Sequence, residues 1–274
     1  MREVNPSFLY HGTPDIVLVA AAGRSGQTWL CFMLSHLLNA KFIEPYCLLR
    51  GIVYTGHPYV LGLTQGALPG REATRYNLVV KTHQMPDPYY SLTKKVVIIV
   101  RDPRDMITSA CLRYHVMKTT GSDVEEDAQG MSLCDDMLPK HATLKERITS
   151  LVYGNRMLAI TLSARSWRNF HGAWRRLPFG HIVRYEDLLD KSIESMSEIC
   201  RYLEIPIDES QIGETLHRLS FKEITGRSSG QENAKSIMFR KAAVGDYKKK
   251  LNRIELAIIR HFCRKEAARF GYIL

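Results

Sequence analysis

Residues 15–39 read DIVLVAAAGRSGQTWLCFMLSHLLN, and this stretch decides the fold class. Its first part, Asp15 to Ala20, is a continuous apolar run after the Asp15 carboxylate, which is typical of a strand buried on both faces. A turn with Gly23 and Gly26 follows, and from Gln27 to Asn39 the apolar residues recur at helical spacing. A strand that enters a helix through such a turn presents free backbone N–H groups, so this turn is a candidate anion site.

The alternation of strands and helices continues along the chain. Further strands are predicted at residues 77–81, 95–100 and 181–185, and further helices at 103–118, 144–177, 192–204 and 251–270. This order predicts an α/β fold, a single domain over residues 1–274 built as a three-layer sandwich around a central parallel sheet, with ligands at the carboxyl ends of the strands. Residues 46–74 and 122–136 are expected to be long loops of the kind that form lids or binding loops.

The net charge of +10 is concentrated near one end of the chain. Residues 218–274 carry 14 Lys/Arg against 5 Asp/Glu, a net of +9, which leaves only about +1 for the rest. The basic segment either binds polyanions non-specifically or folds over an anionic ligand. Six scattered cysteines without a C-x-x-C pair indicate neither a disulfide framework nor a zinc site. No signal peptide or membrane-spanning run is recognised, so a cytoplasmic protein without a membrane partner is expected.

The turn and the ends of the later strands carry polar motifs. Arg24, Ser25 and Thr28 add a cation and two hydroxyls to the turn, whereas a Walker A loop would need a lysine where Gln27 stands. Lys81-Thr82-His83 ends the second predicted strand. Arg101 and Ser109 stand eight positions apart across a strand end and the next helix, where Arg104 and Asp105 are expected in a solvated first turn. The later motifs are Tyr185-Glu186-Asp187 and Phe239-Arg240-Lys241-Ala-Ala-Val-Gly-Asp-Tyr-Lys248.

These motifs, in this order, resemble those of the cytosolic sulfotransferases that use 3′-phosphoadenosine 5′-phosphosulfate (PAPS). The family loop reads P-K-S-G-T-T-W; Gly23, Arg24 and Gln27 depart from it, while Ser25, Gly26, Thr28 and Trp29 agree. The resemblance covers about Ile16 to Lys248 and implies a P-loop-NTPase-like sulfotransferase fold. It also implies that residues Arg24 to Thr28 bind the 5′-phosphosulfate and that Trp29 lies against the adenine.

The resemblance assigns roles to the other motifs. His83 would be the general base, while Lys81 and Arg24 would stabilise the sulfuryl and bridging oxygens. The 3′-phosphate would be held by Arg101 and Ser109, and closed over by the segment with Phe239, Arg240 and Lys241, which stands for the family's R-K-G-x-x-G-D-W-K. Tyr185 and Phe221 would contact the nucleotide, although either aromatic could instead be plain core. Arginine keeps its proton, so Arg24 could serve as a fixed charge but hardly as an acid.

The implied reaction is transfer of a sulfuryl group from PAPS to a small-molecule acceptor, with release of adenosine 3′,5′-bisphosphate (PAP) and no metal. The acceptor pocket is expected to draw on Tyr54, His57, Tyr59, Tyr114 and His115. A faint similarity to bacterial tailoring enzymes of the saxitoxin type suggests a cationic guanidinium alkaloid, which the acidic residues of 122–136 could attract unless they form a solvated loop. The alternatives are an ATP-dependent small-molecule kinase and a non-catalytic polyanion-binding protein.

The predicted partners are the nucleotide and the acceptor, with no nucleic acid. The family's dimer segment is replaced here by residues 248–255, KKKLNRIE, so a monomer and a homodimer both remain open.

Overall fold

The structure is a computed structural model that describes residues 16–43, 75–76, 78–86, 95–120, 156–231 and 241–274, with backbone only at 41, 43 and 112–120. The strands are β1 (Ile16–Ala21), β2 (Lys41–Ile43), β3 (Leu78–Thr82), β4 (Lys95–Val100) and β5 (His181–Arg184). The helices are α1 (Gln27–Leu38), α2 (Pro103–Thr120), α3 (Arg156–Trp174), α4 (Tyr185–Asp190), α5 (Ser192–Leu203), α6 (Glu209–Arg218), α7 (Phe221–Thr225), α8 (Tyr247–Lys250) and α9 (Arg253–Ala268).

The five strands form one sheet in the order β2-β3-β1-β4-β5. Strand β3 runs parallel to both β1 and β2. In the β1–β3 register Val19 lies opposite Lys81 and Ala20 opposite Thr82. The carboxyl ends of the two strands therefore lie at the same sheet edge, directly before the glycine turn of one strand and His83 of the other. The predicted α/β class with a central parallel sheet is confirmed.

The chain divides into two compact units. The first combines Met1–Ala20, Gly26–Ile99 and Leu177–Gly226, and the second combines Ala21–Ser25, Val100–Arg176 and Arg227–Leu274. The first unit contains the sheet with α1 and α4 to α7, whereas the second contains α2, α3, α8 and α9. That residues 1–274 fold as a single domain stays a prediction.

Helix α1 is the central helix of the first unit. Ten of its twelve residues are buried, which exceeds the single apolar face of a surface helix. Its polar residue His36 is among them, and His36 Nδ1 lies 3.0 Å from the Thr215 hydroxyl of α6. The helix ends in the left-handed residue Asn39. Helix α1 packs on β2 and β3, and every residue of β1 from Ile16 to Ala20 is buried.

The core of the second unit is aromatic and is formed by α3 and α9. Trp167 and Trp174 are fully buried in it. Phe270 makes an edge contact with Trp167 at a centroid distance of 6.1 Å. His171 is also fully buried, and neither of its ring nitrogens has a hydrogen-bond partner among the described residues. Burial lowers the pKa of His171 to about 3, so the imidazole is neutral at physiological pH.

Helix boundaries depart from the sequence prediction where capping decides them. The last helix begins at Arg253 because Asn252 and Glu255 form a capping box. The strand predicted at 181–185 ends at Arg184, because Tyr185 already belongs to α4, whose first turn carries two acidic residues. The short elements β2, α4, α6, α7 and α8 were not predicted. The predicted loops 46–74 and 122–136 lie outside the described residues. So do residues 144–155 of the helix predicted at 144–177.

Four of the six cysteines lie in the described ranges, and none of these four forms a disulfide there: Cys31, Cys111, Cys200 and Cys263. Burial raises the pKa of the Cys263 thiol to about 12, so it stays protonated. None of the helices in the described part of the chain is long and apolar enough to span a membrane.

Candidate active site

Gly26 ends the glycine turn in a conformation that a side chain would not tolerate. Its φ is +83°, and a Cβ added to it would lie 2.4 Å from ring carbons of Tyr185. Tyr185 is itself buried, so its ring has no room to withdraw. The Gly26 carbonyl oxygen accepts hydrogen bonds from the backbone N–H groups of Trp29 and Leu30 and starts α1. The ring of Tyr185, the residue after β5, therefore packs directly against the residue before α1.

Gln27 joins the ends of β1 and β3. Its side-chain Nε2 donates to the carbonyl oxygens of Val19 at 2.6 Å and Thr82 at 2.8 Å. The side chain is 3% exposed, and its Oε1 has no hydrogen-bond partner in the described part of the chain. Because one amide group holds both strand ends, the Lys81-Thr82-His83 motif is fixed beside the start of α1.

The predicted catalytic motif sits at this strand end. Lys81 is 7% exposed, and His83, the next residue but one, is half-buried. The Thr82 hydroxyl accepts a hydrogen bond from the Gln84 backbone N–H at 3.1 Å, which turns the chain just after the strand.

Two aromatic residues predicted to contact adenine are brought near each other in the first unit. The indole Nε1 of Trp29 donates to the Leu219 carbonyl at 2.7 Å. Phe221, two residues further on, starts α7 behind the Ser220 cap and is half-buried. Both residues therefore lie at the short connection between α6 and α7.

The second unit holds the residues predicted for the 3′-phosphate. Arg24 adopts a left-handed conformation with φ 68°, and its Nε donates to the Ser109 hydroxyl at 3.3 Å. Arg101 donates from Nη1 to the Arg24 carbonyl at 2.9 Å and from Nη2 to the Ala243 carbonyl at 3.1 Å. Its own carbonyl accepts from the Trp167 indole at 3.1 Å. The guanidinium of Arg101 therefore bonds to two backbone segments of the protein.

Ser25 is a fully buried residue of the turn. Its hydroxyl has no hydrogen-bond partner among the described residues. Because a buried hydroxyl without a partner loses its hydration without replacement, it favours a ligand oxygen beside it. This is a feature of the turn that a phosphate or sulfate group would satisfy.

Asp105 corrects the expectation of a solvated first turn in α2. The residue is 1% exposed, and its carboxylate accepts from the backbone N–H groups of Gly245 at 2.6 Å and Tyr247 at 3.0 Å. Arg104 lies over the ring of Tyr247, 4.4 Å from the guanidinium carbon to the centroid, and forms a two-point ion pair with Asp102. Both charges are structural, because they dock residues 245–247 on α2. In the sequence, an aspartate in the first turn of a helix looks the same whether it faces solvent or binds a distant segment, so this role could not be predicted.

The basic C-terminal segment is described in part. Lys241 forms an ion pair with the buried Asp246 at 2.7 Å. Phe239 and Arg240 lie outside the described residues, as do Tyr54, His57 and Tyr59, while Tyr114 and His115 fall on the backbone-only part of α2. No group of three His, Cys, Asp or Glu side chains placed to hold a metal occurs within the described ranges.

The structure therefore forms two sets of predicted residues, one in each unit. The first set comprises Gly26, Gln27, Thr28, Trp29, Lys81, Thr82, His83, Tyr185 and Phe221, and the second comprises Arg24, Ser25, Arg101, Ser109 and Lys241. The first offers an imidazole and a lysine at a strand end beside a helix start, and the second offers guanidinium groups and hydroxyls. Sequence reasoning missed the docking role of Asp105 and the use of the Gln27 side chain between strands.

Known proteins share this architecture. The mouse sulfotransferase SULT7A1, solved as a complex with PAP, superimposes with a TM-score of 0.57 at 16% identity, over 94% of this chain and 86% of that one. A retinol dehydratase in complex with androsterone and PAP gives a TM-score of 0.53 at 16% identity, over 95% of this chain and 82% of that one. Both similarities concern the fold.

The sequence comparisons agree with the fold. Sulfotransferase 1B1 of the dog, Canis lupus familiaris, is 22% identical over 259 residues, which are 87% of this chain and 79% of that protein. The family model for the sulfotransferase domain matches residues 14–271. Because that match spans almost the whole chain, the protein belongs to the sulfotransferase domain family and is a sulfotransferase.

Proposed function

We propose that this sulfotransferase takes its sulfuryl group from PAPS and transfers it to a hydroxyl or nitrogen of a small molecule, with His83 as general base. The observation that carries the proposal is the pair of hydrogen bonds from Gln27 to Val19 and Thr82. They hold the strand end with Lys81 and His83 beside the start of α1, where an anionic donor group would bind. A base and a cation beside an anion site are what a group transfer of this kind requires.

The reaction is an in-line displacement at sulfur. The acceptor oxygen or nitrogen forms a bond to sulfur while the bond between sulfur and the bridging phosphate oxygen breaks. His83 takes the proton that the acceptor loses, and PAP leaves with the electron pair of the broken bond. Lys81 supplies positive charge to the oxygens on which negative charge develops, and its low exposure strengthens that interaction.

Nucleotide binding is proposed for both sets of residues. Trp29 and Phe221 contact the adenine, and residues 25–28 of the turn hold the 5′-phosphosulfate, which the unsatisfied Ser25 hydroxyl supports. Arg101 and Ser109 hold the 3′-phosphate. The basic segment of residues 218–274 closes over the nucleotide, so its net charge of +9 serves a ligand with several negative charges.

We propose a small-molecule acceptor and a cytoplasmic enzyme that acts as a monomer or homodimer. A guanidinium alkaloid is included among the acceptors to be screened, because the acidic residues within 122–136 would attract a cation. The relative solved with androsterone shows that this fold can hold a compact polycyclic molecule in that protein.

The test has two parts. In a thermal-shift experiment PAP should stabilise the protein and ATP with magnesium should not, since a ligand of the native state raises the melting temperature. Stabilisation by ATP with magnesium alone would favour a kinase, and stabilisation by heparin without any effect of PAP would favour a polyanion-binding protein.

Turnover tests the base. With labelled PAPS and an acceptor found by screening, His83→Ala should lower kcat by about 10²-fold or more, the usual contribution of a general base. His217→Ala, a change at an exposed histidine of α6, is the matched control and should leave kcat unchanged. Near-normal turnover by His83→Ala with PAPS saturating would contradict the base assignment.

A further inference from the structure

Arg24 is the residue at which the turn departs from the family lysine, and its side chain has a definite partner. Its Nε donates to the hydroxyl of Ser109 at 3.3 Å, across 85 positions of sequence. Ser109 is 3% exposed and belongs to α2, whereas Arg24 is half-buried. The planar guanidinium is thus anchored at the residue predicted for the 3′-phosphate.

The backbone of Arg24 is held in the same cluster. A φ of 68° is costly for a residue with a side chain and persists where surrounding contacts hold it. One such contact is the hydrogen bond from Arg101 Nη1 to the Arg24 carbonyl, 2.9 Å long. Arg24, Arg101 and Ser109 therefore form one hydrogen-bonded group within the second unit.

The chemistry of this group matches a phosphate monoester. Such a phosphate carries nearly two negative charges at neutral pH and three oxygens that accept hydrogen bonds. Two guanidinium groups match that charge and geometry better than they match the singly charged sulfuryl group during its transfer. The Ser109 oxygen accepts from Arg24, so its own hydrogen can be donated to a phosphate oxygen.

We propose that Arg24 recognises the 3′-phosphate of the donor together with Arg101 and Ser109, and that it sets the preference of the enzyme for a 3′-phosphorylated nucleotide. This inference rests on the proposed use of PAPS. It moves Arg24 from the reacting sulfuryl group to donor selection, and it leaves Lys81 as the cation for the sulfuryl oxygens.

The experiment compares two nucleotides that differ only in the 3′-phosphate. Isothermal titration calorimetry gives the Kd of PAP and of adenosine 5′-monophosphate (AMP) for the wild-type protein, Arg24→Ala, Ser109→Ala and the double variant. Arg24→Ala should weaken PAP by about 10- to 100-fold and AMP by less than about 3-fold, as expected for loss of one charge-assisted hydrogen bond. The losses in the double variant should be less than additive, because the two side chains are in contact.

A matched control separates this effect from general loss of positive charge. Arg168→Ala removes an exposed arginine of α3 that bonds to the neighbouring Asn169, and it should change neither Kd. Should Arg24→Ala fail to fold, as judged by circular dichroism, Arg24→Gln removes the charge with a longer side chain and carries the same expectation.

The outcomes separate the two proposals. An equal loss of affinity for PAP and AMP in the Arg24 variants would overturn the inference. So would a tenfold or larger fall in kcat with saturating PAPS and unchanged PAP affinity, since this would place Arg24 on the sulfuryl group. A wild-type protein that turns over no PAPS and binds PAP no tighter than AMP would instead refute the proposed function itself.

Discussion

Acidification should destabilise the fold through His171. The residue is fully buried in the second unit, with its ring centroid 4.7 Å from that of Trp167 and 5.6 Å from that of Phe270. Burial lowers its pKa from 6.5 to about 3. In the unfolded chain the histidine regains its ordinary pKa, so unfolding is coupled to proton uptake. Stability is therefore present above the unfolded pKa and is lost progressively as the pH falls towards the folded pKa.

The magnitude follows from the two pKa values. Between about pH 7 and about pH 5 the unfolded state takes up nearly one proton at this site and the folded state almost none, so the free energy of unfolding falls by about 2 kcal/mol. The complete loss, reached only below about pH 3, is about 5 kcal/mol. For an m-value of about 3 kcal/mol/M, the first figure corresponds to a shift of about 0.7 M in the urea midpoint.

The assay is urea denaturation followed by tryptophan fluorescence at several pH values and constant ionic strength. His171→Phe retains an aromatic ring in the cluster and removes the titrating nitrogens. Its free energy of unfolding should therefore fall less steeply with acidification, and the proton uptake on unfolding derived from the slope should be smaller by about one proton. His217→Phe changes an exposed histidine in the same way and should keep the wild-type slope. If wild type and His171→Phe lose stability in parallel, the buried neutral histidine is not the cause.

Two further predictions concern the turn and the docked C-terminal segment. Gly26→Ala should destabilise the protein by at least about 1 kcal/mol in a denaturant titration, because of its positive φ, and the clash with Tyr185 adds to this cost. Relief of that clash in Gly26→Ala/Tyr185→Ala would show in a double-mutant cycle, whereas purely additive losses would contradict it. Asp105→Ala should speed amide hydrogen exchange at Gly245 and Tyr247, because their N–H groups donate hydrogen bonds to the Asp105 carboxylate. Unchanged exchange there would mean that other contacts hold the segment, and Arg168→Ala is the unaffected control.

The fold class was accessible from the sequence because strong local patterns agree with it. The apolar run before Gly23, the helical spacing after Gln27 and the polar residues at strand ends each predict the element that the structure forms. The strands β1, β3 and β4 fall within one or two residues of their predicted positions. Short elements such as β2 and α7 were missed because three to five residues carry too little periodicity to be recognised.

The site was accessible only in part, because its decisive contacts join distant positions. Nothing near Asp105 in the sequence indicates that its carboxylate accepts from residues 140 and 142 positions away. The same holds for Gln27, whose partner Thr82 lies 55 positions on. Motif order predicted which residues form the site, whereas the direction of each side chain depends on packing that no local pattern encodes.

Two of the three departures in the turn, Arg24 and Gln27, are explained by what their side chains contact. A threonine at position 27 is too short to reach two strand carbonyls at once, and Gln27 reaches both. A lysine at position 24 has no planar Nε–H to direct at Ser109, and Arg24 has one. The Gln27 side chain is therefore engaged with two strand carbonyls, and the Arg24 side chain with Ser109. In the proposed function the backbone N–H groups of the turn, Ser25 and Thr28 bind the phosphosulfate, Arg24 binds the 3′-phosphate, and Lys81 supplies the charge at the sulfur.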